Sequence, residues 1–468
     1  MKTRFSSATQ RLGVPLLSVA ALAATGLACC PNAIAQSPPS LIAPAVKESN
    51  KHKKQAPSAD PGPHPAISIP VTPLGFAPPA AFYLGDRLAQ VSLNFLSEDS
   101  ILFTFRIPGL IEREHTPAGQ NSSEDSSQEE RNIRAVVLDL PSGKVTAETV
   151  WRLHDYSRYL WMLNGDHFLL RDRNLLQMGD ASLHLEPFLR FPGSLRSIEL
   201  DPKHQLLVAN TIEPPAPESK EGASSESKPS TGPEIASTTP SGTFRLDNPA
   251  DSKPENQRLL RILRMADGKV LLFTRLEGAA PHLPVDGEGF YDAIRGNGPY
   301  WLISYRTFSG ADNPILQVES TCFPSLDAMA PGLVLASACT GDAGRKLIAL
   351  TRDKHRLWDV ATPPTWVWPL LIQSGPRLAR ATVNATHPIG PMTPLDREDM
   401  RGQTVQVYDL ATGRVAITVP ASPVLDGGGG FALSPSGNRL AVLNAGAIQI
   451  FDLPPAPPLP TEGDKPVK

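Results

Sequence analysis

From Ala81 to Leu453 the apolar residues come in short β-rich runs that break at tight polar turns. One such unit recurs. Ala135–Val145 reads AVVLDLPSGKV, and Val405–Val415 repeats it as VQVYDLATGRV. Leu260–Val270, LRILRMADGKV, is a weaker copy, and Leu347–Leu357, LIALTRDKHRL, a more decayed one. In each a β-rich run ends, short polar residues turn the chain, a basic residue follows and a second run begins. In the three clearer copies glycine supplies the positive φ that such a turn demands, which predicts a β-hairpin.

A second hairpin precedes some copies of the first. Phe431–Leu443, FALSPSGNRLAVL, gives strand, turn and strand. Ile198–Val208, IELDPKHQLLV, does so with a shorter turn, and Leu93–Phe103, LNFLSEDSILF, is a third version. Two hairpins in series make a four-stranded antiparallel unit, the blade of a β-propeller. Two polar islands, residues 112–131 and 213–255, interrupt the pattern and are expected to be loop insertions. The roughly 310 residues that remain divide into seven blades of about 44, within the range of propeller repeats. The expectation is therefore an all-β fold, a β-propeller of about seven degenerate four-stranded blades.

Val405 to Leu453 resembles a blade of the bacterial exported WD-repeat-like propellers, a group that includes the YVTN-type surface repeats. The resemblance covers that segment well and the rest of the chain loosely. It implies a fold and little about activity, because propellers host scaffolds, hydrolases and oxidoreductases alike. The Trp-Asp pair that closes the third strand in eukaryotic repeats is replaced by Leu138-Asp139 and Tyr408-Asp409, while Trp358-Asp359 lies one strand later.

The ends of the chain read differently. Lys2, Arg4 and Arg11 precede an apolar run from Val14 to Ala28, and Ala33-Ile34-Ala35 follows, the order of a secretory signal over residues 1–35. The run is too short for the roughly 20 residues of a membrane-spanning helix. Cys29 and Cys30 offer a lipoprotein anchor as an alternative, although neither has a clean lipidation context. Residues 36–80, rich in Pro, Ala and Lys, and residues 454–468, rich in Pro, hold too few large apolar side chains to offset ordering entropy, and are expected to be a linker and a tail. The expected location is periplasmic or extracellular.

Charge and cysteine content narrow the partners. The net charge is −3, and loss of the leader's three basic residues takes it to −6. An acidic chain is a poor match for nucleic acid or an anionic membrane. Of the four cysteines only Cys322 and Cys339 lie beyond the leader. They are expected at the ends of neighbouring strands and to pair as a disulfide in an oxidising compartment.

Four features were weighed as chemistry. Arg356-Leu357-Trp358 resembles the docking motif of quinoprotein propellers, but it occurs once, so Trp358 is expected to wedge between blades. Asp286-Gly287-Glu288-Gly289-Phe290-Tyr291-Asp292 has the alternating acids of a calcium loop but not the EF-hand spacing, and reads as a solvent-facing turn. Asp426-Gly427-Gly428-Gly429-Gly430 lacks the helix or lysine of a phosphate loop and reads as a blade entrance. The ten histidines show no His-x-x-x-His, and no Gly-x-Ser-x-Gly is present. Catalytic, cofactor and metal residues are therefore assigned nowhere. The expected function is a non-catalytic, monomeric binding scaffold for a protein or a cell-surface polymer. The alternative is a propeller enzyme, a metal-dependent lactonase-like hydrolase or a quinoprotein-like oxidoreductase, with one residue per blade at the channel mouth.

Overall fold

In the computed structural model the chain divides into Met1–Ala59 and Asp60–Lys468. The structure describes residues 63–77, 91–107, 131–154, 158–214, 256–276, 282–342, 344–389, 396–424 and 429–459, all in the second part. The leader, Cys29, Cys30 and most of both polar islands lie outside the described residues.

The fold is a seven-bladed β-propeller, each blade a four-stranded antiparallel sheet. Blade 7 is closed by a strand from the start of the chain, β1 (Ile67–Pro70). Blade 1 holds β2 (Val91–Ser97), β3 (Ser100–Arg106), β4 (Arg131–Asp139) and β5 (Val145–Leu153). Blade 2 holds β6 (Leu160–Met162), β7 (Phe168–Asp172), β8 (Leu175–Gly179) and β9 (Leu185–Arg190). Blade 3 comprises β10 (Ser194–Leu200), β11 (Leu206–Glu213), β12 (Gln257–Arg264) and β13 (Val270–Leu276). Blade 4 comprises β14 (Val285–Asp286), β15 (Gly289–Arg295), β16 (Tyr300–Thr307) and β17 (Asp312–Glu319). In blade 5 are β18 (Ser325–Ala330), β19 (Leu333–Thr340), β20 (Gly344–Thr351) and β21 (Arg356–Thr362). In blade 6 are β22 (Trp366–Ser374), β23 (Arg377–Ala385), β24 (Met400–Asp409) and β25 (Val415–Ala421). The remaining strands of blade 7 are β26 (Phe431–Leu433), β27 (Arg439–Asn444) and β28 (Ala447–Asp452).

The repeated hairpins share one geometry. Gly143, Gly268 and Gly413 have φ of 68°, 65° and 68°. Each donates its amide to the carbonyl four residues back, Asp139, Arg264 and Asp409. A register shift follows in the same place each time, between Val137 and Leu138, Ile262 and Leu263, and Val407 and Tyr408. This is the bulge that accompanies a left-handed turn residue. In the decayed copy the turn is one residue shorter: Lys354, at φ 69°, donates its amide to the carbonyl three residues back, Thr351.

Middle strands are apolar at consecutive positions because both of their faces are covered. In β4, Val136 and Leu138 pack toward blade 7 while Ala135 and Val137 pack toward blade 2. In β20, Ile348 and Leu350 face blade 4 while Leu347 and Ala349 face blade 6. Seven apolar clusters result, one for each seam between neighbouring blades. The ring therefore has no single central core.

The folded part begins before Ala81. Ile67, Ser68, Ile69 and Pro70 pair with Ile450, Gln449, Ile448 and Ala447, and Ile69 is buried. Residues 67–70 therefore belong to blade 7 rather than to a linker. The Pro-rich context hid a strand that tolerates proline because it lies on an edge. The islands are also shorter than expected, since Arg131 starts β4 and Glu213 ends β11, both buried. Glu213 takes a bidentate pair from Arg261 at 2.5 and 2.9 Å. The tail starts later than expected too. The Pro454 carbonyl accepts a bond from the buried Arg377, and Leu459 packs on the seam between blades 5 and 6.

Cys322, just before β18, and Cys339 on β19 form the expected disulfide, with Cα atoms 5.5 Å apart. Trp358 is wedged between blades, as expected. Its indole N–H donates to the Leu410 carbonyl at 2.8 Å, and Gly413 lies directly against the ring.

Candidate functional site in the central channel

The innermost strand of each blade, or in blade 4 the residues just ahead of it, lines a central channel of about 760 Å³. Four consecutive blades each place an ionisable side chain there: Arg158 from blade 2, Glu199 from blade 3, His282 from blade 4 and Asp327 from blade 5. Arg158 and His282 sit just ahead of the short strands β6 and β14. Glu199 and Asp327 lie within β10 and β18.

Three of the four bind one another. His282 Nδ1 is 2.9 Å from Glu199 Oε1, and its Nε2 is 3.3 Å from Asp327 Oδ1. A ring that offers a proton to a carboxylate at each nitrogen is an imidazolium. The bonds to Asp327 and Glu199 raise its pKa to about 10, against the opposing effect of burial. Glu199 Oε2 also accepts the Leu283 amide at 3.3 Å. The histidine thus ties blades 3, 4 and 5 together across the channel wall. Neither nitrogen keeps a free lone pair, so in this state the ring is neither a general base nor a metal ligand.

Arg158 is different. Its Nε donates to the Leu160 carbonyl at 3.1 Å and its guanidinium lies 5.3 Å from the Trp161 ring centroid. Among the described residues no carboxylate forms an ion pair with it and both Nη groups lack an acceptor. The side chain is exposed to the channel, whose wall encloses it in part. That enclosure lowers its pKa to about 10, with Glu199 opposing the shift, so it remains charged at neutral pH.

A second cleft, of about 920 Å³, opens on the face that carries the β6–β7, β10–β11 and β12–β13 turns. Leu163, Met178, Met265, Leu271 and Phe308 give it an apolar lining, and it meets the channel at Leu163, Asn164 and His204. Burial lowers the pKa of His204, with Asp201 opposing.

Two of the sequence motifs place a residue against a neighbouring blade. Asp286 is buried, not a solvent-facing turn residue. Its Oδ2 accepts bonds from the Tyr291 hydroxyl at 2.9 Å, the Gly332 amide at 2.8 Å and Arg352 Nη2 at 2.5 Å. The carboxylate is consumed in joining blade 4 to blade 5, and only Gly287 and Glu288 of that motif are exposed at the turn. Of the glycine run, residues 426–428 lie outside the described residues. Gly429 packs so closely on the Val91 carbonyl that a Cβ would stand 1.9 Å from it. The other histidine–carboxylate contacts, His154–Asp172, His184–Glu186 and His387–Asp399, involve no residue of the channel wall.

No family model and no curated protein matches the sequence. Solved structures are similar in fold at low identity. Pyrococcus horikoshii acylaminoacyl peptidase is 11% identical with a TM-score of 0.43, over 78% of this chain and 51% of that one. The β-propeller domain of the Trilobed protease from Pyrococcus furiosus is 10% identical with a TM-score of 0.39, over 78% and 95%. Kluyveromyces lactis Hsv2p is 12% identical with a TM-score of 0.32, over 61% and 71%. The chain spans about half the length of the peptidase it matches. These likenesses concern the propeller fold and carry no argument about activity.

Proposed function

We propose that this chain is a non-catalytic propeller scaffold that works outside the cytoplasm and binds a protein or a cell-surface polymer through its channel and the adjoining cleft. The observation that carries the reading is the state of His282. The channel's histidine is held between Glu199 and Asp327, which makes it a tie between blades rather than a proton acceptor. Rigid blades joined by such ties present their turns as a fixed surface, the usual basis of binding by loops on a scaffold. The Cys322–Cys339 disulfide fits an oxidising compartment. Among the described residues no helix is long and apolar enough to cross a membrane.

The test uses the purified protein as bait in a cell-envelope extract, read by quantitative mass spectrometry and glycan analysis. Stoichiometric retention of one or two proteins, or of one polymer, supports the scaffold. Retention of nothing, together with turnover of lactones or quinone-dependent oxidation of alcohols by the purified protein, overturns it in favour of the enzyme.

A further inference from the structure

Arg158 is the feature of the channel that the blade ties leave unexplained. Of the other ionisable groups along the wall, His204 is neutralised by burial and keeps its Nδ1 without a partner among the described residues, while two carboxylates are held by backbone amides. Glu98 accepts the Ser436 amide at 2.6 Å, and Asp201 accepts the Gln205 and Leu206 amides, each at 2.6 Å. Asp166 stands on the exposed β6–β7 turn at the mouth. The imidazolium of His282 balances one of the two carboxylates that hold it. Arg158, by contrast, has no carboxylate partner among the described residues, and its guanidinium projects into open channel volume, braced by the Leu160 carbonyl and the Trp161 ring.

A braced guanidinium keeps its fork in one orientation, so little side-chain entropy is lost when an oxyanion docks. Its Nη groups offer donors at fixed angles, the geometry that matches two oxygens of one acidic group. Partial enclosure by protein strengthens the attraction over that of a surface arginine. The channel volume of about 760 Å³ accommodates a small molecule or the terminus of a larger chain.

We infer that Arg158 anchors a small oxyanion group, a carboxylate or a phosphate, inside the central channel. The inference rests on the binding reading above and specifies the ligand chemistry of the same site. The imidazolium at His282 contributes by neutralising Glu199, the carboxylate nearest in charge interaction to Arg158, which would otherwise repel the incoming anion.

The experiment is thermal unfolding of the purified protein with succinate or inorganic phosphate as probe, at constant ionic strength against a chloride control. A saturable rise in Tm is expected for at least one probe. The more effective probe distinguishes a carboxylate from a phosphate source. In Arg158→Met, which removes the guanidinium and keeps an unbranched apolar stem, affinity should fall at least tenfold. Arg158→Lys keeps the charge and loses the fork, and should bind with intermediate affinity, which guards against a folding defect in the methionine variant. Arg190→Met, on the outer strand β9, should bind as wild type. Unchanged binding in both Arg158 variants, or no saturable shift with either probe, overturns the inference. A protein that ignores both anions yet captures its envelope partner refutes this anchor and leaves the scaffold reading intact.

Discussion

Asp286→Ala measures what holds blade 4 to blade 5. The side chain is 4% exposed and accepts three hydrogen bonds, two of them from blade 5. Removing it strands the buried Tyr291 hydroxyl and the Gly332 amide. It also leaves Arg352 without its counter-ion. Breaking a fully buried ion pair costs about 3–5 kcal/mol. Arg352 is 27% exposed and lies 4.1 Å from the Tyr305 ring centroid, so water and the ring would compensate part of the loss. The expected cost is about 3 kcal/mol, most of it from the lost charge-assisted bonds. With about 300 described residues and an unfolding entropy of roughly 2 cal/mol/K per residue, Tm should fall by about 5 °C. The Tyr305 hydroxyl donates to the Asp286 backbone carbonyl at 2.8 Å, a bond that the substitution keeps. A double-mutant cycle with Arg352→Met, read by urea unfolding, should give a coupling of about 1–3 kcal/mol. A loss below about 0.5 kcal/mol, or additive single variants, would refute the ion-pair account of this seam.

Four further outcomes follow from other parts of the ring. Lys354→Gly should stabilise the protein by about 1 kcal/mol in urea unfolding, because a non-glycine residue stands in the left-handed region there at φ 69°. The folded-state pKa of His282 is raised, so its contribution is complete below the unfolded pKa near 6.5 and fades as pH rises through about 10. The Tm difference between wild type and His282→Gln should therefore be largest near pH 6 and close by pH 10 or above; a gap independent of pH would contradict the ionic tie. Cys322→Ala with Cys339→Ala should lower stability by roughly 3 kcal/mol in the chain-entropy model, and reductant should then have no effect on the double variant. Deleting residues 1–70 removes β1 and bares the edge of β28, so size-exclusion chromatography should show self-association.

The blades were legible in the sequence because their turns are chemically demanding. A left-handed glycine before a basic residue marks the end of the third strand in blades 1, 3 and 6, and consecutive apolar residues mark strands covered on both faces. What escaped detection is equally physical. β1 has only Ile67 and Ile69 to announce it, lies among prolines, and completes blade 7 through pairing with β28 at the other end of the chain. Asp286 reads in the sequence as a solvent-facing acid because its partner, Arg352, lies 66 residues away. Lys354 shows the limit of the glycine signal, since the shorter turn of blade 5 places a lysine in the left-handed region.

The channel residues were hidden for a further reason. Arg158, Glu199, His282 and Asp327 each come from a different blade, and the nearest two in sequence are 41 positions apart. Their juxtaposition depends on closure of the ring, which no local pattern encodes. Nor do the repeat units themselves preserve them. Arg158 and His282 precede their strands, in connections between blades, outside the two-sided packing that governs the middle strands. In this ring the positions that most resemble one another between blades maintain the seams. The four ionisable residues of the channel differ from blade to blade, and a ligand would meet those first. A sequence comparison that weights the repeat will find the fold and pass over the site.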